Sequence, residues 1–190
     1  RDILQSALRQ IRGSRLLLRL MVYCILYLAV VGTIEEFLQL WLAERGATGF
    51  AYGGMFSLLA LAQAAGAGLA ALFTAGRHME RFLYGGMAAC GLLLAGVWLV
   101  PGAGFVLLLL VFVVTGLMEV KLEAAAQAAI AGQRATVLSF NSFVMNLAAI
   151  LLAMGIGALG KAATFTAAFA LCGIVVLLGA GWLVVERGNV

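Results

Sequence analysis

Charge is what this chain has least of. Charged residues occupy 11% of 190 positions, eight acids against twelve Lys or Arg, where a soluble domain carries ~25%. A chain so poor in charge cannot solvate its own surface in water. The net charge of +4 is small, and no Lys/Arg run interleaved with aromatics accompanies it, which excludes a nucleic-acid surface. Proline occurs once and histidine once. His78, in a short loop beside Arg77, reads as solvated rather than as a metal ligand. Cys24, Cys90 and Cys172 sit in three different apolar stretches with no CxxC or Cys/His neighbour. They read as small buried apolar side chains, not as a disulfide or metal framework. No His/Asp/Glu metal set, Ser/His pair or HExxH motif is present, so we expect neither enzymatic activity nor a cofactor. No filter-like loop points to a channel.

Six apolar runs fill the chain instead: Arg15–Leu42, Ala47–Ala75, Phe82–Val100, Ala103–Glu119 with a helical extension, Thr136–Leu159 and Ala162–Val185. A hydrocarbon core of ~30 Å takes ~20 apolar helical residues to cross. The runs are rich in Leu, Ala and Gly and lack period-2 alternation, so they are expected as helices. The expected fold class is all-α, a polytopic membrane protein with a six-transmembrane-helix bundle over residues 15–190. Residues 1–14 read as an amphipathic interfacial segment, with Ile3, Leu4, Ala7, Leu8 and Ile11 on one face and Arg9 and Arg12 on the other. That segment lacks an apolar signal core and opens on Arg1. We expect a piece of a longer chain or a processed one.

Arginines alternate between the two ends of the runs. Arg1, Arg9, Arg12, Arg15, Arg19, Arg77, Arg81, Arg134 and Arg187 fall at one end, and only Arg45 and Lys161 at the other. By the positive-inside rule both termini are expected to be cytoplasmic. The connections are short, so consecutive helices are expected to pack as antiparallel neighbours. Small residues recur every four positions at Ala62, Gly66 and Ala70 and at Gly49, Gly53 and Ser57, a spacing that lets helix backbones approach closely.

A charge near the bilayer centre costs at least ~2.5–3.5 kcal/mol on insertion scales, so it must face a bundle interior or water. Two runs carry acids well inside their length. In the first, Glu35 and Gln39 are spaced i, i+4 and share a face. Tyr27 lies two turns earlier near that face, and Glu36 points ~100° away, towards Gly32 and Thr33. In the fourth, Thr115, Glu119, Glu123 and Gln127 recur every four residues as a polar stripe. Lys121 lies on nearly the opposite side and either snorkels to headgroups or meets another helix. These carboxylates are candidates to bind a cation, exchange protons or contact a cationic substrate. Asn141, Ser142 and Asn146 in the fifth run are expected to hydrogen-bond between helices.

The layout resembles the C-terminal half of a major facilitator superfamily transporter, over essentially all 190 residues. The Arg1–Arg15 segment looks like the end of the loop joining the two six-helix halves of such proteins. Ala75-Gly76-Arg77-His78-Met79-Glu80-Arg81 sits where the family has a short basic turn. Gln133-Arg134-Ala135-Thr136-Val137-Leu138-Ser139 resembles the Arg-Ala-Thr start of the eleventh helix in drug-efflux-like members. The resemblance implies that the first and fourth runs line a central cavity, with Glu35, Glu36, Gln39 and Glu119 facing it. It implies secondary transport of a small amphiphilic or cationic molecule across the cytoplasmic (inner) membrane, as proton-coupled efflux. Such a transporter has two six-helix halves, so association with another six-helix unit is expected, either a missing N-terminal half or a second copy. The competing expectation is a non-transporting membrane assembly or scaffold module.

Overall fold

Backbone amides inside a long apolar stretch have only one another as hydrogen-bond partners, and helices result. The computed structural model describes residues 11–47, 49–73, 79–130 and 134–188. In it, α1 runs over Arg15–Glu44, α2 over Phe50–Leu72, α3 over Met79–Leu99, α4 over Gly104–Ala129, α5 over Arg134–Ala162 and α6 over Phe165–Gly188. All six are long and apolar enough to cross a membrane, and no strand occurs among the described residues. Residues 1–10 of the expected interfacial segment, the Ala75–His78 part of the basic turn and Gln133 lie outside the described residues. Ile11 is described, and it packs with Leu17, Met21, Ile130 and Val137 into a small cluster that ties the start of α1 to α4 and α5.

The expectation that consecutive helices pack as neighbours fails for three of the five pairs. α3 packs on α4 across the single turn Pro101–Ala103, and α5 packs on α6. Neither α1 and α2, α2 and α3, nor α4 and α5 share an extended interface. Close glycine contacts explain the choice made by α2. Gly66 lies against the Val113 carbonyl of α4, and Gly116 of α4 lies against the Gln63 carbonyl of α2, so near that neither position has room for a Cβ. Backbone-to-backbone packing of this kind drives helix association where lipid supplies no hydrophobic force. α2 therefore lies along α4 rather than along α1. A second glycine crossing joins α3 to α6, where a Cβ on Gly173 would lie 2.7 Å from the Gly91 carbonyl.

The main contacts pair α2 with α4, α1 with α5, α3 with α4, α1 with α6, α5 with α6, and α3 with α6. Exchanging α1, α2 and α3 for α4, α5 and α6 maps all of these pairs onto one another except α5–α6, because α2 and α3 share no extended interface. Successive helices reverse direction, so the two triplets are inverted relative to each other, an arrangement of internal repeats found in membrane transport folds. The core lies mainly among α1, α3, α4 and α6, with Tyr27, Ile34, Leu38, Met87, Cys90, Leu94, Leu108, Val111 and Phe169 fully enclosed. Only 17% of the apolar stretch of α2 and 11% of that of α5 is buried, against 61% for α1.

At the end opposite the arginine-rich one, α1 is clamped to α6. Both Glu44 carboxylate oxygens accept from the Phe165 amide at 3.2 Å. Arg45 donates to Thr166 at 3.1 Å while its guanidinium lies 3.8 Å from the centre of the Trp41 ring. Partial burial lowers the Arg45 pKa, and neighbouring Glu44 opposes that shift. Trp41 in turn stacks on Phe169.

Candidate functional site

An α-helix turns ~100° per residue, and that increment decides which polar residues reach the surface. In α1 the enclosed stripe is Tyr27, Val31, Ile34 and Leu38. Glu35 and Gln39 lie one residue beyond Ile34 and Leu38 and are exposed. Glu36 and Gly32 are exposed as well, whereas Thr33 is buried and donates to the Ala29 carbonyl. The exposed side of α1 is thus broad enough to carry both acids.

Tyr27 does not share that side. Eight residues overshoot two helical turns, leaving Tyr27 ~80° from Glu35. Its ring is fully enclosed, and its hydroxyl lies 3.0 Å from Cys90 Sγ and 3.1 Å from Thr115 Oγ1. Thr115 is also buried, and it donates to the Val111 carbonyl at 2.8 Å. A carbonyl only accepts, so the Thr115 proton is committed there, and Tyr27 must donate to Thr115. The Cys90 thiol also reaches the Val111 carbonyl, at 3.7 Å, and donates there. The result is a buried hydrogen-bond cluster joining α3, α1 and α4, with Tyr27 inside the π-turn of α1 at Cys24–Leu28.

The polar stripe expected along α4 is a spiral. Each four-residue step advances ~40° beyond a full turn, so Thr115 points into the core while Glu119 and Glu123 are exposed and Gln127 is half-buried. Glu119 accepts from Gln63 of α2 at 3.2 Å, and Glu123 accepts from Gln127 at 3.1 Å. Lys121 is half-buried, with no carboxylate at ion-pair distance among the described residues.

Between α1 and α2, where no interface forms, there are two adjoining clefts. One, of about 330 Å³, is lined by Glu35 and Leu38 of α1, Phe56, Ser57, Leu59 and Ala60 of α2, and Phe112 of α4. The other, of about 560 Å³, lies nearer the clamped end and includes Gln39, Tyr52 and Phe56. Counting along the helices from that end, Glu35 lies ~14 Å below Glu44 and Glu119 lies ~22 Å below Gly104. Both acids border α2, and Glu119 is the deeper of the two from that end.

Reading the sequence by runs of acids missed Gln63 and Ser57, which α2 brings to Glu119 and to the Glu35 cleft. A lone Gln in the middle of an apolar run was the available signal for the first. Ser142 and Asn146 of α5 are exposed, with no hydrogen bond between helices among the described residues, so the bonding expected of them is not present. Asn141 is half-buried; it donates to Met145 of its own helix at 3.6 Å and also interacts with the Cys24 thiol of α1, so for this residue contact between helices is present. No protein-family model matches the chain, and neither curated protein sequences nor solved structures give a significant match.

Proposed function

We propose that this chain is one six-helix half of a secondary transporter of the major facilitator type, moving a small amphiphilic or cationic molecule by alternating access. The single observation that carries the reading is the position of Glu35 and Glu119. Both are exposed on the sides of membrane-length helices, on either side of α2. Carboxylates so placed need water or a polar ligand, since acyl chains offer neither. The inverted pairing of two helix triplets supports the same reading, because transporter sites lie near the bilayer midplane between such repeats. Glu35, Glu36, Gln39 and Glu119, with Gln63 and Ser57, form the substrate and proton site of this proposal. Tyr27 and Thr115 hold the helices behind it.

The unit resides in the inner membrane with both termini cytoplasmic, and a second six-helix unit covers α2 and α5. Flux in vesicles under an imposed proton gradient tests the proposal. Glu35→Gln and Glu119→Gln should each reduce proton-driven flux by at least about tenfold, as removal of an essential proton carrier does. Undiminished flux in both variants would remove these carboxylates from the mechanism. The bare α2 and α5 surfaces equally suit an assembly module. A stable paired complex without flux for any amphiphilic cation would favour that second reading.

A further inference from the structure

A third cleft, separate from the acidic one, opens at the arginine-rich end between the first two turns of α1 and the last two turns of α6. Its volume is about 300 Å³, and it is lined by Arg15, Leu18, Arg19, Val22, Trp182 and Glu186. Arg15 is the first residue of α1, and Glu186 ends the apolar span of α6. The cleft therefore sits at the depth of the headgroups, where arginine and tryptophan side chains gather. Its walls continue into apolar surface: Leu178, one turn deeper than Trp182 on the same stripe, is 70% exposed, and Val175 and Leu18 are about two-fifths exposed.

The charges in the cleft are two guanidiniums and one carboxylate. Arg15 is exposed and has no acid at ion-pair distance among the described residues. Arg19 reaches Glu80 of α3 at 3.7 Å, beyond hydrogen-bond length, and its Nε is buried without a hydrogen-bond partner. Two guanidiniums with donors to spare, above an apolar wall, suit a phosphodiester joined to acyl chains.

We propose that this cleft binds a membrane phospholipid. Arg15 and Arg19 donate to the phosphodiester oxygens, the Trp182 indole lies at the glycerol level, and an acyl chain follows Leu18, Val22 and Leu178. The inference does not rest on the transport reading, because none of its residues belongs to the acidic clefts.

Mass spectrometry of the intact protein released from detergent tests it, with phosphatidylglycerol as the probe and diacylglycerol as the phosphate-free control. One phosphatidylglycerol should remain bound where diacylglycerol does not. Arg15→Gln should weaken retention by about fivefold, the worth of one arginine at an anionic membrane surface. Arg15→Lys should restore most of it, and Arg45→Gln, at the opposite end, should leave it unchanged. Arg15 makes no ion pair among the described residues, so its substitution should leave the fold intact, which helix content by circular dichroism verifies. Equal retention by wild type and Arg15→Gln, equal retention of diacylglycerol, or displacement by millimolar inorganic phosphate would each overturn the proposal.

Discussion

Single hydrogen bonds in this bundle have unequal consequences because losing a donor and losing an acceptor leave different groups unpaired. In the Cys90–Tyr27–Thr115–Val111 cluster, Tyr27→Phe removes a donor and leaves behind an acceptor that already has work, Thr115 Oγ1. Its expected cost is near the ~0.6 kcal/mol typical of bonds between membrane helices. Thr115→Val instead strands the buried Tyr27 hydroxyl with only a sulfur beside it, and should cost ~1–3 kcal/mol. Unfolding midpoints of the two variants in mixed detergent should fall in that order, and the reverse order would mean that Tyr27 accepts from Thr115. At the clamped end, Glu44 accepts the Phe165 amide while Thr164 accepts from Ala167 at 3.1 Å, so the start of α6 has two caps. A carboxylate at a helix N-terminus is favoured by the helix dipole. Glu44→Ala should lower stability by ~0.5–2 kcal/mol, the usual worth of a cap, and show as a lower thermal midpoint.

At the scale of the element, glycine decides which helices meet. Gly66 and Gly116 face backbone across the α2–α4 seam, and backbone cannot give way as a flexible side chain can. Gly116→Leu should therefore push the two helices apart, cost at least ~1–3 kcal/mol by overpacking, and break the Gln63–Glu119 bond. Gly53→Ala, where a Cβ meets open space, should leave the midpoint unchanged. The apolar runs marked the helices to within three residues at every end but one, because length and hydropathy suffice for that; α4 continues ten residues past Glu119, as an extension whose end the apolar pattern did not mark. The Ala62–Gly66–Ala70 repeat also signalled a close seam. It did not say against which helix, since the complementary glycine on α4 stands alone between Thr115 and Leu117. Polar faces were legible only over a turn or two. Glu35 with Gln39 survived as a pair, and Tyr27 lies ~80° away from Glu35 after two such steps; Thr115 parts from Glu119 after a single ~40° step because the edge of the buried face of α4 falls between them.

At the scale of the whole molecule, α2 and α5 are the helices with most left uncovered, and the inverted pairing relates them to each other. Cys24, Cys90 and Cys172 are all buried, so a thiol placed at exposed Ser142 of α5 supplies a clean probe. Ser142→Cys should cross-link to an adjoining six-helix unit in membranes and run at twice the monomer mass if that unit is a second copy. A monomer only, under strong oxidant, would show that face to be turned to lipid. None of this was readable from composition, because hydropathy does not distinguish a helix side meant for lipid from one meant for protein. The glycine seam carries a mechanical consequence. α2 is welded to α4, whereas α1 packs on α5 and α6, so Glu35 and the Gln63–Glu119 couple stand on different helix groups. In the transport reading proposed above, any shift between those groups would change the width of the α1–α2 clefts, working against the tie that the Tyr27–Thr115 bond makes between α1 and α4.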